Sequence, residues 1–227
     1  MKGFVREIFS SLQGEGVQVG QRMTFVRLYG CNLSCAYCDT REARAKNGEL
    51  LYKGTVFENP VTPDFVVDKI EDRFVAITGG EPLLQREFLR EICIHLSELK
   101  KSLYLETNGS LPENLEGLVD YFDSVALDFK IPSATGQSAL WAEHERSLVS
   151  AANKSVFVKI VITNDIQMHE IMTVCEIVAR VRKTIPLVIQ PVFGDRIDGL
   201  LDIQKTALQV LDDVRIIPQI HKYLGLK

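Results

Sequence analysis

The chain has no apolar run near the ~18 residues that a membrane-spanning helix needs. It begins Met1-Lys2-Gly3-Phe4-Val5-Arg6-Glu7, without the apolar core of a signal peptide. A cytoplasmic protein is therefore expected. There is no excess of basic residues: 26 Lys and Arg stand against 30 Asp and Glu, a net charge of −4. That excludes the broad basic face on which nucleic-acid binding usually rests. Solenoid repeats and low-complexity linkers are also missing. With 46% hydrophobic and 25% charged residues, the 227-residue chain has an ordinary globular composition. Cysteine is scarce, at five residues. A reducing compartment disfavours disulfides, so these thiols are expected to be ligands, nucleophiles or core fillers.

What is present is an alternation of short apolar runs with helical patterns. Strands are predicted at Thr24–Leu28, Phe74–Thr78, Leu103–Thr107, Val125–Phe129, Val156–Thr163, Pro186–Pro191 and Val214–Ile217. Helical spacing runs through Leu83–Lys100, from Pro112 towards Tyr121, through Leu140–Ala152, through a segment capped by Asp165, and through Leu200–Leu211. Strand–helix alternation predicts an α/β fold with a mostly parallel sheet. About six βα units are too few for a closed eight-fold barrel, which leaves a partial barrel or a doubly wound sheet. One domain over residues 1–227 is expected, with Arg41–Pro63 as an irregular surface insertion.

The strongest chemical signal is Cys31-Asn32-Leu33-Ser34-Cys35-Ala36-Tyr37-Cys38, three thiols spaced Cys-x3-Cys-x2-Cys. Soft thiolates select iron–sulfur clusters, zinc or copper(I). A closed zinc site takes four protein ligands, and no fourth Cys or His lies nearby. Three thiols on a four-iron cluster would leave one iron open. Cys93 and Cys175 fall on apolar helical faces and read as core filling.

Polar residues gather at predicted strand ends, where α/β folds bind ligands. Thr78-Gly79-Gly80-Glu81-Pro82 follows a strand: its glycines permit close backbone approach, and Glu81 can accept from an ammonium group. Glu106-Thr107-Asn108-Gly109 ends the next strand. Asp128-Phe129-Lys130 ends another, with Lys159 and Gln190 on later ones. A charge inside an apolar strand, such as Lys159, needs a partner or ligand. His95, His144 and His169 read as solvent-facing helix residues.

The cysteine spacing and the Gly-Gly-Glu-Pro element together resemble the radical S-adenosylmethionine superfamily. Three further segments narrow the resemblance: Leu12-Gln13-Gly14-Glu15-Gly16 before the cluster, Cys38-Asp39-Thr40 at its end, and Gln219-Ile220-His221-Lys222-Tyr223-Leu224-Gly225 near the C-terminus. From about residue 4 onward the chain is similar to the 7-carboxy-7-deazaguanine synthases of queuosine- and archaeosine-type 7-deazapurine biosynthesis.

The resemblance implies a partial, modified βα TIM-type barrel of about six parallel strands, in a homodimer. It implies conversion of 6-carboxy-5,6,7,8-tetrahydropterin to 7-carboxy-7-deazaguanine and ammonia, by hydrogen abstraction at C6 and ring contraction. The cofactors implied are a [4Fe-4S] cluster on Cys31, Cys35 and Cys38, S-adenosylmethionine, and Mg2+ on Thr40. S-adenosylmethionine would be bound by Tyr37, Cys38, Asp39, Gly80, Glu81, Asn108, Asp128, Phe129, Lys130, Lys159 and Gln190. The Asp128-Phe129-Lys130 element departs from the family's Ser-Pro-Lys. Substrate would be bound by Leu12, Gln13, Gly14, Glu15, Arg27, Thr78, Gln219, His221 and Lys227, with Arg27 facing its carboxylate. A flavodoxin- or ferredoxin-type reductant would supply electrons. Two rival readings share the thiols: an activase that installs a glycyl radical on a partner protein, and a non-enzymatic metal module.

Overall fold

A computed structural model describes residues 1–227. Its strands are β1 (Val5–Leu12), β2 (Arg22–Leu28), β3 (Leu50–Tyr52), β4 (Thr55–Phe57), β5 (Phe74–Gly79), β6 (Ser102–Thr107), β7 (Ser124–Asp128), β8 (Ser155–Ile162), β9 (Leu187–Pro191) and β10 (Val214–Ile216). Its α-helices are α1 (Pro63–Val67), α2 (Arg86–Glu98), α3 (Pro112–Glu116), α4 (Pro132–Thr135), α5 (Trp141–Ala151), α6 (Met168–Val181), α7 (Leu200–Ala207) and α8 (Ile220–Tyr223).

All ten strands join one sheet, in the order β10-β9-β8-β7-β6-β5-β2-β1-β3-β4. The run from β2 through β5 to β10 is parallel throughout. That makes seven parallel strands rather than about six. The sheet stays open, because β10 and β4 are its two edges.

Successive side chains of a strand face opposite sides, so the sheet separates two apolar layers. The outer layer is the main core. It packs Val26, Leu28, Ile77, Leu105, Leu127, Val158 and Ile189 against the helices, through Leu89 and Ile92 of α2, Leu148 of α5, and Val174 and Val178 of α6. The inner layer is small: Met23, Phe25, Ala76, Tyr104, Ala126, Phe157 and Val188 form a floor on the concave side. Cys93 and Cys175 are fully buried in the outer core, as their helical positions predict.

Three local expectations are corrected. β1 lay outside the predicted strands. It runs antiparallel to β2, with Ile8 opposite Val26 and Phe9 opposite Phe25, and its polar residues interrupt the apolar run that marks a parallel strand. Arg41–Pro63 is more regular than an insertion loop. It holds a 3-10 turn at Arg41–Arg44 and the β3–β4 hairpin, which lengthens the sheet by pairing β3 with β1. α6 begins at Met168 after Gln167 rather than at an Asp165 cap.

Candidate active site

The floor residues fix the site through the strand period. Two positions beyond the last apolar floor residue of each strand, the next inward side chain is polar. On β2, Phe25 is followed by Arg27; on β5, Ala76 by Thr78; on β6, Tyr104 by Glu106. On β7, Ala126 is followed by Asp128; on β8, Phe157 by Lys159; on β9, Val188 by Gln190. Strand pairing keeps these residues level, with Arg27 beside Thr78 and Asp128 beside Lys159. The result is a polar ring at the C-terminal ends of the parallel strands. It lines a cavity of about 820 Å³.

Three segments close the cavity. The loop after β2 brings Cys31, Cys35, Tyr37, Cys38, Asp39 and Thr40 to one wall. Leu12, Gln13, Gly14 and Glu15, at the end of β1, form another. Gln219, His221 and Lys227 come from the C-terminal segment. That segment is pinned by Ile220 N–H donating to the Gly14 carbonyl at 2.9 Å, and by Ser11 Oγ donating to the Lys227 carbonyl at 2.7 Å.

Charge in the ring is paired. Lys159 binds Glu15 and lies 3.2 Å from Asp128, and Lys130 lies 2.7 Å from Asp128. Burial opposes ionisation of Glu15, but the Lys159 charge and bonds donated by Lys159 and Gln219 outweigh it and hold the carboxyl at about 2. Burial likewise disfavours charge on Lys159, yet Asp128 and Glu15 raise its pKa well above the ordinary value. Gln219 Nε2 bridges Glu15 at 2.7 Å and Asp39 at 3.1 Å. Glu106 collects the Thr78 hydroxyl and the Gln13 amide, both at 2.8 Å. Arg27 donates to Glu7 at 2.8 Å, and Lys227 pairs with the other Glu7 oxygen.

Every residue expected at the site lines this cavity except Glu81 and Phe129. Glu81 is fully buried below it, where its carboxylate accepts from Leu83 N, Thr107 Oγ1 and Asn108 N at 2.7–3.0 Å. It holds the turn together instead of facing an ammonium group. Phe129 is fully buried in the outer core, because the strand alternation turns it away from Asp128 and Lys130. His144 is a further correction: it is fully buried rather than solvent-facing. The expectations omitted Glu7 and Tyr104, and named Glu106 only as a polar strand end, without a binding role. Tyr104 and Glu106 lie four and two positions before Asn108, in step with the inward face.

The thiol loop sits tightly on the turn after β5. Gly79 has φ +152°, and a Cβ on Gly80 would lie 2.8 Å from Cys31 Cβ, so both positions require glycine. Burial raises the thiol pKa of Cys31 and of Cys35. Thiols held this way become thiolates by binding a soft cation. Gln190 Oε1 and Asp128 Oδ1 are buried acceptors without protein partners, so the ring keeps hydrogen-bonding capacity for a ligand's donors.

Residues 25–164 match the Radical SAM superfamily, so the fold and the thiol loop define a radical S-adenosylmethionine protein. Its relatives are more specific. A 7-carboxy-7-deazaguanine synthase of Geobacter sulfurreducens is 36% identical, over 97% of this chain and 96% of that protein. One from Archaeoglobus fulgidus is 35% identical over the full length of both. The chain belongs to the 7-carboxy-7-deazaguanine synthase family. The fold agrees with the crystal structure of QueE from Escherichia coli, which has a TM-score of 0.66 and 21% identity over 97% of this chain and 95% of that one. Superfamily membership implies a [4Fe-4S] cluster and S-adenosylmethionine. Three cavity-facing thiols, with unpartnered buried acceptors on Asp128 and Gln190 in the same cavity, fit that pair. No helix is long and apolar enough to cross a membrane.

Proposed function

We propose that the protein converts 6-carboxy-5,6,7,8-tetrahydropterin to 7-carboxy-7-deazaguanine with release of ammonia. The observation that carries this reading is the pairing of a three-thiol loop with a polar ring in one cavity of about 820 Å³, room for a cofactor and a small polar substrate together. When bound, the cluster and S-adenosylmethionine supply the one-electron chemistry that removes a hydrogen atom from substrate C6.

The chain's residues divide the remaining tasks. Cys31, Cys35 and Cys38 hold the cluster. Tyr37, Asp39, Gly80, Asn108, Asp128, Lys130, Lys159 and Gln190 form the wall that holds S-adenosylmethionine. Gln13, the Gly14 backbone and Glu15 read the pyrimidine edge. Glu15 stays ionised and so accepts N–H bonds from that edge. Arg27 turns its free guanidinium nitrogens to the substrate carboxylate. Thr78 is oriented by Glu106. Leu12, Gln219, His221 and Lys227 close the site and limit water at a centre where a radical forms. Thr40 offers a hard hydroxyl oxygen that suits Mg2+, with the substrate carboxylate as a second oxygen ligand.

Two further features belong to this proposal. Electrons come from a flavodoxin- or ferredoxin-type donor, and the working form is a cytoplasmic homodimer. Turnover of the carboxytetrahydropterin by the anaerobically reconstituted, reduced protein tests the assignment. A 7-deazapurine product is expected. Release of 5′-deoxyadenosine without any deazapurine would overturn the substrate and leave the radical chemistry standing.

A further inference from the structure

His144 is a buried group to which the site gives no role. Its ring stacks on Phe129 at 4.5 Å with an interplanar angle of 8°, and Trp141 meets its edge. Nε2 lies 3.1 Å from the Asn108 carbonyl oxygen and 3.3 Å from the Lys130 backbone nitrogen. Those atoms belong to the segments leaving β6 and β7, which are neighbours in the sheet. One turn along α5, Ser147 Oγ donates to the Gly109 carbonyl at 2.8 Å. One helix therefore holds two strand exits from behind.

In front, the same two residues reach the thiol loop. Asn108 Nδ2 donates to Asn32 Oδ1 at 3.1 Å, and Lys130 Nζ donates to Tyr37 Oη at 3.1 Å. Asn32 follows Cys31 and Tyr37 precedes Cys38, so the two bonds brace the loop near its two outer thiols. We propose that His144 is a positioning residue of the cofactor site: from behind the sheet it fixes the spacing of Asn108 and Lys130, and through them both shoulders of the cysteine loop. The inference rests on the cofactor assignment above.

The chemistry of imidazole shapes the test. In either neutral tautomer Nε2 can donate to Asn108 or accept from Lys130, but not both. Nδ1 has no partner. A glutamine amide offers one donor and one acceptor, so it can meet both backbone atoms. Phenylalanine keeps the stack on Phe129 and neither bond.

The experiment compares wild type, His144→Gln, His144→Phe and Val178→Ala, each reconstituted with its cluster. Val178 is fully buried in the outer core and supplies a stability control. The readouts are the Kd for S-adenosylmethionine, its effect on the electron paramagnetic resonance of the reduced cluster, and Tm. His144→Phe should weaken S-adenosylmethionine about tenfold or more and blunt the spectral response, as loss of an outer positioning contact does. His144→Gln should stay close to wild type, and Val178→Ala should lose Tm without losing affinity. Wild-type affinity and spectra in His144→Phe would overturn the proposal. So would equal affinity losses in His144→Phe and Val178→Ala.

If His144→Phe does not fold, nitrogen-15 spectra of the labelled wild-type histidines decide. A neutral His144 with a hydrogen-bonded Nε2 is expected, and an imidazolium or a free Nε2 at pH 7 overturns the role. Wild type that takes up no cluster and binds no S-adenosylmethionine would sink the cofactor assignment itself, a distinct outcome.

Discussion

His144 and Glu81 are buried titratable groups that push stability in opposite directions with pH. Burial lowers the imidazole from 6.5 to about 4. Between those values the unfolded chain takes up a proton that the folded chain refuses, so stability falls as pH drops, by about 3 kcal/mol. Burial raises the Glu81 carboxyl from 4.5 to about 7. There the folded chain keeps a proton that the unfolded chain has released, so stability falls by about 3 kcal/mol as pH rises across that range. In wild type the two slopes offset each other. His144→Gln should lose stability towards neutral pH, and Glu81→Gln towards acid. Urea unfolding between pH 4.5 and 6.5 checks this; parallel profiles for the two variants would contradict it. The cysteines separate equally sharply. Cys31→Ala, Cys35→Ala or Cys38→Ala should abolish 5′-deoxyadenosine formation. Cys93→Ala should cost only about 1–2 kcal/mol of stability, and retained cleavage in the Cys35 variant would refute its role as a ligand. The thiols were legible because spacing alone limits their chemistry. The burial of His144 was partly legible, since it shares a helical face with Leu148 and Ala151. That Glu81 faces away from the cavity was not, because only the folded turn shows which donors reach it.

At the scale of elements, the parallel strands announce themselves as nearly continuous apolar runs, since both of their faces are covered. The polar ring follows from the same runs once the inward face is known, because each ring residue lies two positions beyond an apolar one. The β3–β4 hairpin carried a weaker signal. Lys53 and Gly54 have φ values of 48° and 80°, the two consecutive positive-φ residues of a tight hairpin turn. Lys-Gly is a less obvious pair for that turn than Asn-Gly, and strands of three residues show no periodicity. The turn after β5 makes an element-scale prediction. Its backbone carries the thiol loop, with Glu81 N–H donating to the Gly30 carbonyl at 2.7 Å. A methyl group at residue 80 would meet the Gly30 carbonyl and Cys31 Cβ. Gly80→Ala should therefore displace the loop and reduce iron bound per chain after reconstitution, while circular dichroism stays near wild type. Full iron uptake would show that the close approach is dispensable.

For the whole molecule, fold class and reaction centre were readable because a βα repeat places strand ends together whatever its loops do. Charge distribution was less readable, since a net charge of −4 conceals its local pattern. Arg41, Arg44 and Lys46 lie within six residues, immediately after the thiol loop, against one acid, Glu42. Arg41 donates to the Ala36 and Cys38 carbonyls at 3.2 Å, tying this basic segment to the loop itself. An acidic one-electron donor would be steered to such a face, and steering between exposed charges weakens as salt screens them. Lys46→Glu leaves the Arg41 contacts in place, spares Arg44, which lines the cavity, and reverses an exposed charge. It should lower the rate supported by a flavodoxin-type protein several-fold and flatten its salt dependence, because rim charges act mainly on association. The rate with a small chemical reductant should change far less, since that reductant needs no extended docking face. Steady-state turnover with each donor, across a range of ionic strength, measures both. An equal loss with both reductants would mean that the charge acts on the site rather than on docking, and an unchanged flavodoxin-supported rate would place the electron-entry face elsewhere on the molecule.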